Sequence, residues 1–147
     1  MKVYMDVCCL TRPFDDLSQD RVYLESEAVL AITAHCANDE WTLIASGVID
    51  AELLKIKDED KLEKVKAIYA TAQERFAMSP QVEKRAEFFR QHGIKAFDSL
   101  HLALAEVKGA DIFLTTDDRF LKAASKLELN IKISNPVSWF MEVLKNE

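Results

Sequence analysis

Glycine is scarce in this chain, and its scarcity excludes one class of nucleotide site. Only three of the 147 residues are glycines, and Gly47, Gly93 and Gly109 stand far apart in the sequence. A loop that cradles phosphate with backbone N–H groups needs several glycines within a few residues. The sequence therefore excludes P-loop and Gly-rich dinucleotide-binding motifs.

Cysteine is equally scarce. Cys8, Cys9 and Cys36 are an odd number, and their spacing matches no zinc-binding or disulfide framework. We interpret Cys8 and Cys9 as small buried residues at the end of a strand, and a reactive or metal-binding role is the less favoured alternative. A chain without a disulfide framework is typical of a reducing compartment, so we expect a cytoplasmic protein.

Long apolar segments are lacking too. No stretch approaches the roughly 18 uninterrupted apolar residues that a membrane helix needs. The N-terminus, with Lys2 and Asp6 among its first six residues, does not resemble a secretion signal. Apolar residues nevertheless make up 49% of the chain, which is enough for a hydrophobic core. We expect a soluble protein with no membrane partner, built as a single domain over residues 1–147.

Positive charge is outweighed by negative charge. With 19 Lys and Arg against 25 Asp and Glu, the formal net charge is −6, which argues against a protein that holds nucleic acid through clustered basic residues. Several basic residues lie close in sequence to acids, and each is either a phosphate contact or an ordinary surface charge. The favoured phosphate contacts are Arg12, Arg119 and Lys122, and the others are Lys55, Lys57 and Lys95.

The pattern of apolar residues predicts strands that alternate with helices. Short runs rich in β-branched and aromatic residues predict strands at 2–5, 41–45, 76–78, 111–114 and 130–133. Helical spacing and start signals predict helices at 18–37, 48–54, 59–75, 80–92, 96–107, 118–126 and from 136 onwards, and Pro13 predicts a loop at 11–17. Strands separated by helices need crossover connections, so the sequence predicts an α/β fold with a parallel sheet covered on both faces.

Four acidic residues stand close to the ends of predicted strands or at the starts of predicted helices. They are Asp6, Glu52, Asp98 and Asp117. Ligands of parallel α/β sheets bind beyond the carboxyl ends of the strands. Four carboxylates brought together there cannot all stay ionised unless a positive partner lies among them, and a divalent cation is the simplest such partner.

Each acid also has a structural interpretation. A single acid can simply terminate a strand, lie on the surface, or favour the first turn of a helix. Asp50 is a rival to Glu52 as a ligand. For the pair that precedes the helix at 118–126, we predict that Asp118 caps the helix and that Asp117 is the ligand.

Four segments stand out around the acids: Val3-Tyr4-Met5-Asp6, Ser46 to Glu52, AFDSLHLALA from Ala96 to Ala105, and LTTDDRF from Leu114 to Phe120. They resemble the four signature regions of PIN-domain ribonucleases, many of which are toxins of VapBC-type toxin–antitoxin pairs. The last segment has the family's Thr-x-Asp-x-x-Phe pattern. The four occur in the family's order across essentially the whole chain, so the sequence is similar to VapC-like PIN-domain ribonucleases.

This resemblance implies both a fold and an activity. The implied fold has three layers, with a central parallel sheet of about five strands flanked by helices. The implied activity is hydrolysis of RNA phosphodiester bonds by an endoribonuclease that depends on Mg²⁺ or Mn²⁺, as the toxin of a type II toxin–antitoxin system. Expected partners are RNA, a small antitoxin protein and a second copy of the chain. The alternative is a PIN-like module that binds RNA or takes part in assembly with weak or no catalysis.

The resemblance also implies roles for individual residues. The catalytic and metal-binding positions are Asp6, Glu52, Asp98 and Asp117, and the substrate positions are Ser46, Thr115, Arg12, Arg119 and Lys122. One position departs from the family pattern, because Val7 and Cys8 stand where the family has Thr or Ser after the first acid. His101, three residues after Asp98 on the same helical face, either bonds that acid, approaches the substrate or, as we favour, is satisfied within its helix.

Overall fold

A five-stranded parallel sheet forms the centre of the molecule. The computed structural model describes residues 1–146, and its strands are β1 Lys2–Met5, β2 Thr42–Ser46, β3 Glu74–Phe76, β4 Ile112–Leu114 and β5 Lys132–Ser134. The strand order is β3-β2-β1-β4-β5, and every neighbouring pair is parallel. The predicted α/β fold with a central parallel sheet is confirmed.

Helices flank this sheet and complete a three-layer arrangement. Within residues 1–146 they are α1 Val7–Thr11, α2 Asp20–Ala37, α3 Gly47–Leu53, α4 Glu59–Tyr69, α5 Pro80–Gln91, α6 Ala96–Lys108, α7 Asp118–Ala124 and α8 Pro136–Lys145. The predicted start signals act as expected, because the side chains of Ser79 and Asn135 accept backbone N–H groups at the starts of α5 and α8. None of the helices described is both long and apolar enough to span a bilayer.

The two central strands carry much of the core. Val3, Tyr4 and Met5 on β1, with Phe113 and Leu114 on β4, have no exposed surface. The Tyr4 ring stacks on Phe113 with the ring centroids 5.3 Å apart. Strands that are buried on both faces of a sheet need such continuous apolar runs. The core therefore fixes the position of the chain immediately before Asp6.

Two predicted boundaries near β3 are wrong. The helix predicted at 59–75 ends earlier, and the strand predicted at 76–78 begins earlier. Gln73 accounts for the difference, because its side chain accepts the Leu43 N–H at 3.0 Å and donates to the Cys36 carbonyl. These bonds tie the segment to the sheet before its charged residues begin. Charged side chains are common on an edge strand such as β3, and their helix-like composition concealed it.

A short helix follows Asp6 directly. The carboxylate of Asp6 caps this helix, α1, by accepting the Cys9 N–H at 3.2 Å. Cys8 and Cys9 were predicted at a strand end, and the structure corrects this placement to the first turn of α1. Cys9 is buried as predicted, whereas Cys8 is partly exposed. The predicted loop at 11–17 likewise begins inside α1 and contains a 3₁₀ turn at Arg12–Phe14.

Candidate active site

The strand order has its topological switch point between β1 and β4. The chain runs from β1 outward through β2 to β3 on one side, and then returns to β4 and β5 on the other. Met5 at the end of β1 lies opposite Leu114 at the end of β4. Asp6 and Asp117 lie just beyond these two strand ends. Open α/β sheets bind their ligands at such a point.

A cleft of about 560 Å³ opens at this edge of the sheet. Four elements bring acids to it: the end of β1, helix α3, the start of α6 and the start of α7. The acids that line it are Asp6, Glu52, Asp98 and Asp117. The structure thus gathers all four predicted site acids in one cleft.

Asp50, the rival to Glu52, lies elsewhere. Its carboxylate accepts the Tyr69 hydroxyl at 2.6 Å and two N–H groups of Arg75 at 2.9 Å. These contacts join α3 to α4 and β3. Asp50 therefore has a partner of opposite charge, which distinguishes it from the acids in the cleft.

Asp6 is the most deeply buried of the four acids, with 4% of its surface exposed. Its Oδ1 atom accepts the Cys9 N–H and also accepts the Cys8 thiol at 2.7 Å. Burial disfavours the charged form and raises the pKa of the Asp6 carboxyl well above its ordinary range. The carboxylate is held in a fixed orientation, but it costs free energy to ionise.

Asp98 is half-buried in the first turn of α6. Its pKa is raised to about 6, first by burial and then by the neighbouring charge of Asp117, with a smaller contribution from Glu52. A positive charge in the cleft would relieve this crowding. The electrostatics of Asp98 therefore favour a bound cation.

The predicted cap of α7 is wrong, because Asp117, the predicted ligand, caps the helix in place of Asp118. Oδ1 of Asp117 accepts the N–H groups of Arg119 at 2.9 Å and Phe120 at 3.2 Å, so Asp117 is the cap of α7. Asp118 is the first residue of the helix, is exposed, and pairs with Arg21 at 2.6 Å. Asp117 lines the cleft and also caps α7. Asp118 is directed instead towards the Arg21 guanidinium on α2.

In the described part of the chain, the basic side chain that contacts a cleft acid is His101, whose Nε2 lies 3.1 Å from Glu52 Oε1. Within residues 1–146, no Lys or Arg forms a salt bridge with any of the four, although Lys55 and Lys95 also line the cleft. The Lys55 ammonium group lies 3.8 Å from the centroid of the Phe97 ring instead. Lys55 and Lys95 were secondary candidates for phosphate contact, and Phe97 was missed. Its place beside Asp98 in the sequence was the available signal.

A buried chain of hydrogen bonds orients Glu52. His101 Nε2 lies 3.1 Å from Glu52 Oε1, and His101 Nδ1 lies 2.7 Å from the Tyr4 hydroxyl. The Tyr4 hydroxyl lies 2.9 Å from Ser46 Oγ, which accepts the Ile49 N–H at 3.1 Å. His101, Tyr4 and Ser46 have no exposed surface. Of the three interpretations of His101, the structure supports burial with satisfied nitrogens, although its partners lie on other elements.

The direction of these bonds follows from the two ends of the chain. A carboxylate only accepts and a backbone N–H only donates. His101 Nε2–H therefore donates to Glu52, Tyr4 donates to His101 Nδ1, and the Ser46 hydroxyl donates to Tyr4. A doubly protonated His101 would reverse the middle bonds and leave the Ser46 hydroxyl hydrogen without an acceptor in the described part of the chain. The neutral Nε2–H tautomer satisfies every atom.

The remaining predicted substrate residues lie in different settings. Thr115 is buried, and its Oγ1 accepts the Asp117 N–H at 3.1 Å. Arg12 is bonded to Glu25 at 2.8 Å and to Asp15 at 3.2 Å, so its guanidinium is already paired. Arg119 and Lys122 are exposed on α7. Ser46 and Thr115 are thus buried residues that bond to groups of the cleft or its support, whereas Arg119 and Lys122 are exposed on α7.

Comparison with known proteins identifies the family. No curated protein matched the chain in a sequence search. Among solved structures, the chain is similar to one in the crystal structure of VapBC2 from Rickettsia felis bound to a DNA fragment from their promoter. The TM-score is 0.60, the identity is 18%, and the similarity covers 92% of this chain and 98% of that chain. At this identity the similarity establishes the fold.

The family itself is established by sequence. The PIN domain model matches residues 22–126, a stretch that holds Glu52, Asp98 and Asp117 and begins after Asp6. The match covers most of the chain and agrees with the fold and with the segments identified above. The chain belongs to the PIN-domain family, a family of nucleases that generally use divalent metal ions.

Proposed function

We propose that the protein is an endoribonuclease that hydrolyses RNA phosphodiester bonds with the help of Mg²⁺ or Mn²⁺. The observation that carries this proposal is the convergence of four acids in one cleft, without a Lys or Arg ion pair among residues 1–146, in a chain of the PIN-domain family. Buried carboxylates that lack a partner of opposite charge lower the stability of the folded protein. They are the ligands that a hard divalent cation prefers.

The donor set fits such a cation. All four side chains offer carboxylate oxygens, and the raised pKa values of Asp6 and Asp98 reflect burial and crowded negative charge that a cation would offset. In our proposal Asp6 and Asp98 hold the ion directly, Asp117 binds directly or through water, and Glu52 orients a water or a second ion. A bound ion of this kind lowers the pKa of a water molecule and stabilises charge on the phosphoryl group.

The chain's own side chains have separate tasks in this proposal. His101 holds the Glu52 carboxylate in one orientation through its Nε2–H. Lys55 and Lys95 at the rim of the cleft meet the phosphates on either side of the bond to be cut. The Phe97 ring, beside Lys55, offers a surface on which a base can stack. Arg119 and Lys122 extend the phosphate contacts along α7.

A metal titration tests the proposal. Purified wild-type protein should cut a mixed RNA substrate with a rate that rises with Mg²⁺ or Mn²⁺ and falls to zero in EDTA. Asp6→Asn should be inactive at every metal concentration. Asp118→Asn is the matched control, because it removes an exposed acid outside the cleft and should behave like wild type. Equal cleavage by Asp6→Asn would overturn the assignment.

The alternative function has its own observation and its own outcome. Val7 and Cys8 stand where the family has Thr or Ser after the first acid, and this departure favours a module that binds RNA with weak or no catalysis. In that case folded wild-type protein binds RNA but does not cut it at any metal concentration. A gel-shift assay on the same samples separates the two functions.

In the cell, we assign the protein as the cytoplasmic toxin of a type II toxin–antitoxin pair, with the whole chain as one PIN domain. The similarity to a chain of VapBC2 supports a protein partner, and Tyr23, Leu24 and Leu30 on α2 are large exposed apolar residues that an antitoxin or a second copy would cover. Expression should halt growth, Asp98→Ala should relieve the arrest, and a small reading frame beside the gene should suppress it. Solution mass should be that of a homodimer.

A further inference from the structure

We propose that Asp6, Cys8 and Cys9 form a binding site for a thiophilic divalent cation, with Zn²⁺ as its ligand, and that this cation inhibits the protein. The binding site rests on geometry alone, and the inhibition rests on the function proposed above. One carboxylate oxygen and two sulfur atoms, one from each residue, lie within 4.8 Å of one another.

The spacing suits a tetrahedral metal site. With Zn–S bonds of about 2.3 Å and a Zn–O bond of about 2.0 Å, the sulfur atoms lie about 3.8 Å apart and each lies about 3.5 Å from the oxygen. Metal binding would therefore widen the separation of Cys8 Sγ and Asp6 Oδ1 from its present 2.7 Å. The shortest contact, 2.7 Å between Cys8 Sγ and Asp6 Oδ1, is bridged by the thiol proton. A metal ion would replace that proton.

The local structure holds the sulfur of Cys8 in place. The Thr116 N–H donates to Cys8 Sγ at 3.4 Å, and the Thr115 hydroxyl lies 3.4 Å from the same atom. Cys8 is partly exposed and lines the cleft, so an ion can reach it. Cys9 and Asp6 are buried behind it. Cys8 is therefore the accessible ligand of the site, and Cys9 and Asp6 are its buried ligands. A water molecule can supply a fourth ligand.

Ligand type decides which ion binds. Mg²⁺ prefers oxygen ligands and retains several waters, whereas thiolates select ions such as Zn²⁺. The two cysteines thus add a preference for soft ions to a cleft whose other ligands are carboxylates. Asp6 belongs to both sets of ligands. Occupation by Zn²⁺ therefore removes a carboxylate that the nuclease needs, and the two ions compete.

The test of binding uses Co²⁺, a spectroscopic substitute for Zn²⁺, and contains no RNA. Metal-free wild-type protein should bind one equivalent of Co²⁺ with a thiolate-to-cobalt charge-transfer band in the near ultraviolet. Zn²⁺ should abolish the band at stoichiometric concentration, whereas Mg²⁺, which competes only for Asp6, should weaken it only in large excess. Cys8→Ala should lose the band. Cys36→Ala is the matched control, since Cys36 is a buried cysteine on α2, and it should keep the band.

A wild-type protein without the band overturns the site, as does a Cys8→Ala protein that keeps the band. Cys9→Ala removes the second sulfur and should weaken Co²⁺ binding. Circular dichroism establishes that each variant is folded. Because the assay needs no cleavage, an inactive protein that gives the band supports the site while the proposed function fails. An active protein that gives no band overturns the site, while the proposed function stands.

The test of inhibition measures RNA cleavage in Mg²⁺ with added Zn²⁺. Wild type should be inhibited, and the Zn²⁺ concentration for half inhibition should rise with Mg²⁺. In Cys8→Thr, normalised to its own zinc-free rate, that concentration should rise at least about tenfold, because even the loss of an outer partner weakens metal sites about 10- to 100-fold. Cys36→Ala should be inhibited like wild type. Equal inhibition of Cys8→Thr and wild type would contradict the proposal.

Discussion

Two groups of acids lie near the carboxyl edge of the sheet, and the chain treats them differently. Glu25 on α2 is buried even more deeply than Asp6, with 1% against 4% of its surface exposed. Its carboxylate accepts hydrogen bonds from Arg12 Nε at 2.8 Å, Arg21 Nε at 3.2 Å and Asn135 Nδ2 at 2.6 Å. Asp6 accepts hydrogen bonds from the Cys9 N–H and the Cys8 thiol. Among residues 1–146, Glu25 is paired with two guanidinium groups, whereas Asp6 is paired with none.

The same contrast extends to the neighbours of each acid. Asp15 is bonded to Lys61 at 2.6 Å, and Asp118 is bonded to Arg21. In the cleft, Asp98 has Asp117 and Glu52 as charged neighbours. A buried charge is tolerated when it is paired and is costly when it is not. We infer that the Glu25 group serves the fold and that the cleft group is arranged for a cation from outside.

The largest expected effect is on stability, at Glu25. Glu25→Gln keeps the size of the side chain but leaves Arg12 and Arg21 without their shared carboxylate. Breaking one side of a buried ion pair costs about 3–5 kcal/mol, and we expect about 3 kcal/mol because Arg21 is half exposed. Urea unfolding measures the free energy. A loss below about 1 kcal/mol would mean that the Glu25 group does not hold the fold.

Asp98 should show the opposite pattern. Asp98→Asn should lower kcat for RNA cleavage at least about 100-fold, since loss of one transition-state contact commonly costs about 10²–10³. It should not lower the free energy of unfolding of the metal-free protein, because the variant removes a crowded charge. Asp6→Asn combined with Asp98→Asn should cost little more than either alone, since the acids act as a unit.

Those two substitutions give a direct test of the comparison. Glu25→Gln, assayed well below its unfolding temperature, should retain cleavage per folded molecule, while Asp98→Asn should lose cleavage and keep its fold. If Asp98→Asn destabilised the metal-free protein as much as Glu25→Gln does, the cleft acids would be structural and the distinction would fail.

The dependence of stability on pH sharpens the comparison further. The pKa of Asp98 is raised from 3.8 to about 6 in the folded protein, so the folded state binds its proton more tightly than the unfolded state does. Its contribution to stability is full below about pH 4 and is lost as the pH rises through 6. Because Asp98 is only half-buried, we expect about 1 kcal/mol rather than the full value of the shift.

The measurement compares urea unfolding of metal-free wild type and Asp98→Asn at pH 4 and pH 7.5. The difference in free energy between the two proteins should change by about 1 kcal/mol in favour of the variant as the pH rises. Saturating Mg²⁺ should reverse this change in wild type only. A difference in free energy of unfolding that stays constant between the two pH values would show that ionisation of Asp98 does not destabilise the folded protein.

Much of the fold and the list of acids were predictable from the sequence. Parallel strands that are buried on both faces have continuous apolar runs, so β1 and β4 were evident, and acids at strand ends and helix starts must converge where those strands end. The edge strand β3 was misplaced because Glu74 and Arg75 have no apolar pattern to reveal it. Its position depends on the side-chain bonds of Gln73.

Other features depend on contacts between distant residues. Asp117 and Asp118 are adjacent, and only the first helical turn decides which one caps. Arg12 looked available for phosphate, but its partner Glu25 lies on α2 and is brought to it by tertiary packing. The bonds from Ser46 through Tyr4 to His101 connect β2, β1 and α6. No local pattern in the sequence predicts such a chain.

Among the effects on catalysis, the smallest is expected at His101, which sets the orientation of Glu52. His101→Leu removes the N–H that Glu52 accepts, and we expect kcat to fall about tenfold with KM little changed, in the range seen when outer partners of a metal site are lost. His101→Gln keeps an amide N–H near the position of Nε2 and should recover most of kcat. Cleavage kinetics at saturating Mg²⁺ measure both values.

A purely structural role for His101 makes different predictions. If the imidazole only filled space, Gln and Leu would lower stability and kcat together, and Gln would give no recovery. The tautomer provides an independent check, because the hydrogen-bond chain requires a proton on Nε2 and none on Nδ1. Nitrogen NMR shifts of His101 report this directly, and Tyr4→Phe should allow the other tautomer by removing the donor to Nδ1. A proton on Nδ1 in wild type would mean that Glu52 is oriented by something other than His101.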